Sequence, residues 1–316
     1  MTEILKRSFG MTGTRWPIAL LFYLVSLILV AFPVSVFYQN LGEAAGNRSV
    51  LNDLVSDFDF MLFSDFMREH GKVLRPALLW GLLAGFVGSL VYTFLSGGAV
   101  SAFVFQKDKL QAGRFFSHCL RLFPKYLLLL ILLGLLLFSL FLVCGLFFFV
   151  FALIAEGSTE RGYILWSVPP FILFAVCMTF GLTVSNYAKV FLATESRLTT
   201  VDAFWKAFSY VLKKPLSLAL FWVLIGLGIS LTLVYLGADK LIGMKSEMTI
   251  YVMLFFQQLL VFSRSFMKNW NYALAAVFVR KSPVSLYIPK PEPEVPAAEV
   301  PEEETAGERD ASDLPE

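Results

Sequence analysis

From Tyr126 to Ala155 the chain reads YLLLLILLGLLLFSLFLVCGLFFFVFALIA, thirty residues without one charge. Such a run cannot be a surface helix of a water-soluble protein, which needs a polar face opposite its apolar one. At 1.5 Å per residue, about 20 apolar residues cross ~30 Å of hydrocarbon. This run is therefore long enough to span a bilayer, with residues left for tilt or emergence. Inside hydrocarbon the backbone must satisfy its own hydrogen bonds, and a helix does so within one segment. Five more runs of this kind occur, which puts spans at about 17–38, 76–105, 126–155, 164–193, 215–238 and 249–279. The composition agrees, with 57% hydrophobic and 16% charged residues, against roughly 45–50% and 25% in soluble domains. The expected fold is all-α, a polytopic six-transmembrane helical bundle occupying residues 1–282. Lys6 and Arg7 precede an apolar run too long for a signal-peptide core, so an uncleaved first span is expected.

Lysine and arginine set the orientation. The N-terminus, the segments after the even-numbered spans and the C-terminal side carry sixteen of them outside the spans, against seven on the other side. Both termini are therefore expected in the cytoplasm. The net charge of +2 hides a strong asymmetry: residues 290–316 hold ten carboxylates against Lys290 and Arg309. With six prolines between Pro289 and Pro315 and little to bury, residues 283–316 are expected to be a disordered acidic tail, solvated or docking a protein partner.

The external loop 39–75 contains SDFDFMLFSDFMREHG, whose Phe58, Met61, Leu62, Phe66 and Met67 recur at helical spacing. This predicts an amphipathic helix on the outer surface. Asp65, Glu69 and His70 could ligate a divalent cation, although scattered carboxylates and one histidine are more simply a solvated face, and no metal or other cofactor is assigned. Cys119, Cys144 and Cys177 form no metal spacing or disulfide framework. Asn47-Arg48-Ser49 fits a glycosylation acceptor that matters only in a secretory pathway.

Two segments, KDKLQAGRFFSHCLRLFPKYLLLL at 107–130 and ESRLTTVDAFWKAFSYVLKKPLSLAL at 195–220, share an order: basic amphipathic stretch, proline, span. ILKRSFGMTGTRWPIALL at 4–21 is a looser version. Leu198, Val201, Trp205, Phe208 and Leu212 form one apolar face, while Arg114, Ser117, His118, Arg121 and Lys125 mark a polar one. Such helices are expected along the inner membrane surface, basic side toward anionic headgroups. Pro124 and Pro215 would then fall in the first turn of the following span, where a missing N–H costs nothing. The even spans also end alike, with AVSAFVFQKD, YAKVFLATES and YALAAVFVRKS. Three copies of one unit, or the common composition of apolar helices, would each produce this pattern.

With SNYAKVFLATESRLTTVDAFWKAFSYVLKKPLSL at 185–218 and SDFDFMLFSDFMREHGK at 56–72, the chain resembles a group of uncharacterised bacterial six-span inner-membrane proteins. These are similar in turn to the membrane domain of some glycerophosphodiester phosphodiesterases. The resemblance covers roughly residues 1–282 and implies a bacterial cytoplasmic membrane and a helical bundle. It brings no catalytic residues, because the soluble phosphodiesterase domain has no counterpart here.

Catalytic candidates are few: His70 and His118 are the two histidines, and no GxSxG, HExxH or phosphate-binding glycine loop occurs. No apolar run holds Asp or Glu, which counts against ion-coupled transport and intramembrane aspartyl proteolysis. Gly81 and Gly85, as GxxxG, and Gly226 with Gly228 suggest close helix packing.

The remaining candidate site lies in the last span. At 100° per residue Gln257, Arg264, Lys268 and Asn271 fall within a narrow polar stripe. The expected reading is that Arg264 and Lys268 snorkel to inner-leaflet phosphates. The alternative turns the stripe into the bundle, where Lys189, Asn186 and Gln106 at the inner ends of the other long spans would complete a pocket for an anionic headgroup or metabolite. The function expected is that of a non-enzymatic integral membrane protein, membrane-organising or lipid-associated. A permease or channel for an anionic or lipid-like solute is the rival, and a membrane anchor subunit of an enzyme the third class. Expected partners are membrane lipids with anionic headgroups at the cytoplasmic face, and no nucleic acid.

Overall fold

Each apolar run closes its own backbone hydrogen bonds, and the computed structural model describes residues 1–44, 60–105, 111–155, 159–195, 197–242 and 247–282. Among the described residues there are eight helices and no strand: α1 (Thr2–Thr14), α2 (Trp16–Ala44), α3 (Phe60–Phe105), α4 (Ala112–Ile154), α5 (Glu160–Thr194), α6 (Thr200–Lys213), α7 (Leu216–Ile242) and α8 (Glu247–Lys281). Six of them, α2, α3, α4, α5, α7 and α8, are long and apolar enough to cross a membrane. The acidic tail, Asn47 and Gln106 lie outside the described residues.

Two boundaries differ from expectation. The stretch from Phe60 to Arg75 is not a separate surface helix but the beginning of α3, which runs 46 residues with Pro76 inside it. The side chains of Asp65, Glu69 and His70 are outside the described residues. The basic stretch at the start of α4 is likewise continuous with its span, a helix of 43 residues that contains Pro124. Phe115, Cys119, Leu122, Tyr126 and Leu129 form one stripe that crosses the proline, and an unbroken helix keeps it in register against α3. Pro124 itself is exposed, so its missing hydrogen bond is on the outer side. In the other two cases the chain does break, at Arg15 and Lys214, one residue before α2 and two before α7.

The three helices α3, α5 and α8 meet pairwise. Their C-terminal ends, the basal end of the bundle, hold much of the core: Leu95, Ala99, Val100 and Phe103, then Val184, Ala188 and Leu192, then Ala273, Leu274 and Phe278. Around them α1 packs on α8, the first turns of α4 on α3, and α6 on α5. Each contact has its own chemistry. Trp270 Nε1 of α8 donates to Ser8 Oγ of α1 over 2.9 Å. Tyr187 and Tyr210 join α5 to α6 with ring centroids 5.2 Å apart. Against α4, α3 presents Gly97 and Gly98, and a Cβ on Gly98 would stand 2.6 Å from Cys119 Sγ and 2.7 Å from Phe115. Only glycine allows that approach.

The three proline-flanked segments bury corresponding positions. Five residues before Pro17, Pro124 and Pro215 stand Thr12, Cys119 and Tyr210, and five after them Phe22, Leu129 and Leu220, none more than 2% exposed. The apolar stripe divides: Val201, Trp205 and Leu212 are exposed, Leu198 and Phe208 pack half-buried against the core, and in α6 Ala203, Ala207 and Val211 pack inward. Thr199 caps this helix, its Oγ1 accepting from the Asp202 amide over 3.2 Å. Basal ties complete the frame. The Arg15 guanidinium donates to the Ala102 carbonyl, and Lys214 Nζ to Ser282 O over 2.8 Å.

Away from the basal end the helices are broadly apolar and exposed, as at Ile28, Leu82, Phe86, Phe141, Leu165, Phe171 and Val234. A band of this kind would be an aggregation surface in water. Its length and composition make it the lipid-facing surface of a multi-pass membrane protein.

Candidate functional site

Looser packing above the basal core leaves a cavity of about 660 Å³ between α2 and α3, closed below by α5 and α8. Its walls are Leu29, Val30 and Pro33 of α2 and Gly81, Ala84, Gly85 and Gly88 of α3. A Cβ on Gly81 or Gly85 would meet nothing within 4 Å. These glycines, read from sequence as a close-packing motif, instead widen the cavity within the chain. At its base are Lys189, Lys268, Tyr272, Tyr92 and Ser26.

The two lysines are the polar feature of this cavity that carries charge. Lys268 Nζ lies 3.9 Å from the Tyr92 ring centroid and 5.5 Å from that of Phe22. Lys189 Nζ lies 5.4 Å from the Tyr272 centroid. Among the described residues neither ammonium has a carboxylate or hydrogen-bonding partner, and aromatic faces provide their attraction. Such contacts return about 0.5–2 kcal/mol each, well short of the cost of removing an ammonium from water. An anion entering between the two would balance charge that the protein leaves unbalanced.

Neighbouring bonds fix the geometry. Tyr126 OH donates to the Lys189 carbonyl oxygen over 2.7 Å, holding that turn of α5 against α4. The Ser26 and Tyr92 hydroxyls are hydrogen-bonded to each other, which ties α2 to α3 just where the Tyr92 ring meets Lys268. Tyr23 OH donates to Gln258 Oε1 over 2.9 Å, linking α2 to α8.

The polar stripe of the last span therefore divides. Lys268 points into the bundle and shares the cavity with Lys189, rather than snorkelling to the membrane surface. Arg264 is exposed, and its Nη2 donates to Thr232 Oγ1 of α7 over 3.3 Å. Gln257 is exposed as well. Asn186 and Asn271 are half-buried and stand outside the cavity lining. The division follows from what surrounds α8 at each level. Near Arg264 the neighbour is α7, whereas one turn later the rings of Phe22 and Tyr92 close around Lys268. Sequence reasoning missed Tyr92, Ser26 and Tyr272. A signal existed, because Gly81, Gly85, Gly88 and Tyr92 recur at intervals of four, three and four on one face of α3.

Fold and site together define a polytopic α-helical membrane protein with a two-lysine cavity among its spans. No protein-family model, no curated protein and no solved structure matches the chain.

Proposed function

We propose that the protein is a non-enzymatic, lipid-associated membrane protein that holds an anionic amphiphile, its charged group between Lys189 and Lys268 and its apolar part along the groove between α2 and α3. The observation that carries this reading is the pair of lysines facing one cavity of about 660 Å³ whose upper walls are apolar. That volume lies within the range of ligand pockets, about 300–1,000 Å³. A free inorganic anion would satisfy the lysines but leave the groove between Leu29, Val30, Gly81 and Gly85 without an occupant. A lipid-like molecule satisfies both. We place the chain in a bacterial cytoplasmic membrane with both termini inside, on the distribution of basic residues and on the resemblance to the six-span group. Three copies of one unit would account for the shared burial register around Pro17, Pro124 and Pro215.

The test is the lipid that accompanies the protein. Extraction in mild detergent followed by mass spectrometry is expected to find an anionic amphiphile enriched over bulk membrane. Lys189→Gln with Lys268→Gln is expected to abolish the enrichment while the protein remains folded. Equal lipid content in wild type and double variant would overturn the reading.

One observation favours a permease for the same class of solute. Gly81 and Gly85 face open space, so the cavity extends up the spans instead of ending at the lysines. A permease requires Gly85→Cys to react with a membrane-impermeant thiol reagent, and a lipid-holding protein requires it to stay protected.

A further inference from the structure

A second basic pocket, separate from the lysine cavity, lies at the basal end where α4 starts. It has a volume of about 370 Å³ and is lined by Ser101 and Phe105 of α3, His118, Arg121 and Lys125 of α4, and Thr194 of α5 among others. His118, Arg121 and Lys125 follow at intervals of three and four, so one helical face brings them to the pocket together. The His118 ring stacks on Phe105 with centroids 5.6 Å apart, which fixes the imidazole along one wall. Lys125 Nζ donates to the Leu198 carbonyl over 3.0 Å, which anchors its ammonium beside the site. The independent sign of a ligand is Ser101. The residue is 1% exposed, it lines this pocket, and its hydroxyl has no hydrogen-bond partner among the described residues. A buried hydroxyl left unpaired is costly, and such groups call for a specific explanation.

We propose that this pocket is a binding site for a phosphate or phosphate-ester oxyanion, which accepts from the Ser101 hydroxyl and pairs with Arg121, Lys125 and His118. The donor set favours phosphate over carboxylate. Arginine presents a planar fork of N–H groups, and a phosphate group carries enough acceptor oxygens to meet arginine, hydroxyl and ammonium at once. The volume equals roughly twelve waters at ~30 Å³ each, room for an oxyanion and part of the alcohol it esterifies. On the other side of this helix Phe116 and Leu120 are exposed apolar residues. The same chemistry is available from a phospholipid headgroup and from a soluble phosphate compound.

The experiment uses the full chain carrying Lys189→Gln and Lys268→Gln, in micelles of a maltoside detergent that holds no phosphate, so that neither the lysine cavity nor the solubilising amphiphile contributes. Calorimetric titration with inorganic phosphate is expected to saturate at one site per chain. Nanodiscs containing phosphatidic acid separate the sources: loss of phosphate binding in them assigns a lipid headgroup, and undiminished binding assigns a soluble phosphate, both supporting the site. Ser101→Ala and Arg121→Gln are each expected to weaken phosphate about tenfold, and Arg121→Lys to restore part of the loss. Ser101→Ala should also leave thermal stability without phosphate unchanged or higher, because it removes an unpaired hydroxyl. Absence of saturable phosphate binding, or binding by Ser101→Ala and Arg121→Gln equal to that of their parent, would overturn the proposal. Neither result bears on the lysine cavity, whose test uses the intact lysines and retained lipid.

Discussion

Lys268→Met is the perturbation that separates a binding lysine from a structural one. In the empty protein the substitution forfeits the contact with Tyr92, at 3.9 Å, and the weaker one with Phe22, at 5.5 Å. Each of these is worth about 0.5–2 kcal/mol. Against that loss stand the relief of a half-buried ammonium and of its repulsion with Lys189 across the same cavity. The near-isosteric methionine retains the packing, so the two sides offset, and stability without ligand is expected to change by no more than about 1 kcal/mol. With an anionic amphiphile bound the balance reverses. A hydrogen bond to a charged group contributes about 1.5–3 kcal/mol, and its loss weakens binding roughly ten- to a hundredfold. The assay is thermal unfolding of the purified protein in neutral detergent, titrated with phosphatidylglycerol. Wild type should gain Tm with lipid, and the variant should start near the same Tm and gain little. A variant that unfolds far below wild type without lipid yet responds equally to it would refute the reasoning, because Lys268 would then be holding the bundle together.

Further substitutions test the surrounding frame. Gly98→Ala drives a methyl to 2.6 Å from Cys119 Sγ and should cost about 1–3 kcal/mol in detergent unfolding, whereas Gly85→Ala, with open space around it, should be close to neutral. Gly85→Leu should keep the fold and lower lipid retention by filling the groove, read from co-purified lipid. Thr199→Ala removes the cap of α6 and should lower stability by ~1 kcal/mol, seen as a lower Tm. At the basal surface, the hydrogen bond and charge of Lys281 hold the Glu3 carboxyl below its ordinary value of 4.5. A depressed carboxylate adds stability that is present above its unfolded value and lost as pH falls through the folded one. The small acid-side loss of Tm below about pH 4.5 should therefore shrink in Lys281→Ala.

The spans were legible because length and lack of charge leave hydrocarbon-crossing helices as the solution, and α2, α5, α7 and α8 extend only a few residues beyond the apolar runs. Pro124 misled, since a proline beside a span can stand inside a continuing helix as well as in the first turn of a new one. In α4 the stripe continues from Cys119 to Tyr126, and the helix continues as well. For the site, Lys268 and Lys189 were visible as cations in apolar surroundings, but periodicity on one helix could not say what lay across from it. Arg264 and Lys268 share a stripe and have different neighbours. Gly81 and Gly85 showed a similar ambiguity, because GxxxG admits either a partner helix or an opening. The close-packed glycines are Gly97 and Gly98, where α4 comes within contact distance, and the adjacent pair in an apolar span was the trace of it.

The most direct test of the two-lysine cavity is cryo-electron microscopy of the full chain, bound to an antibody fragment, in nanodiscs of anionic and neutral phospholipid. The account predicts one elongated density per chain, its head between Lys189 and Lys268 and its tail between Pro33 and Gly85, absent when both lysines are replaced by glutamine. A cavity that is empty in wild type, or a density unchanged by that replacement, would contradict it.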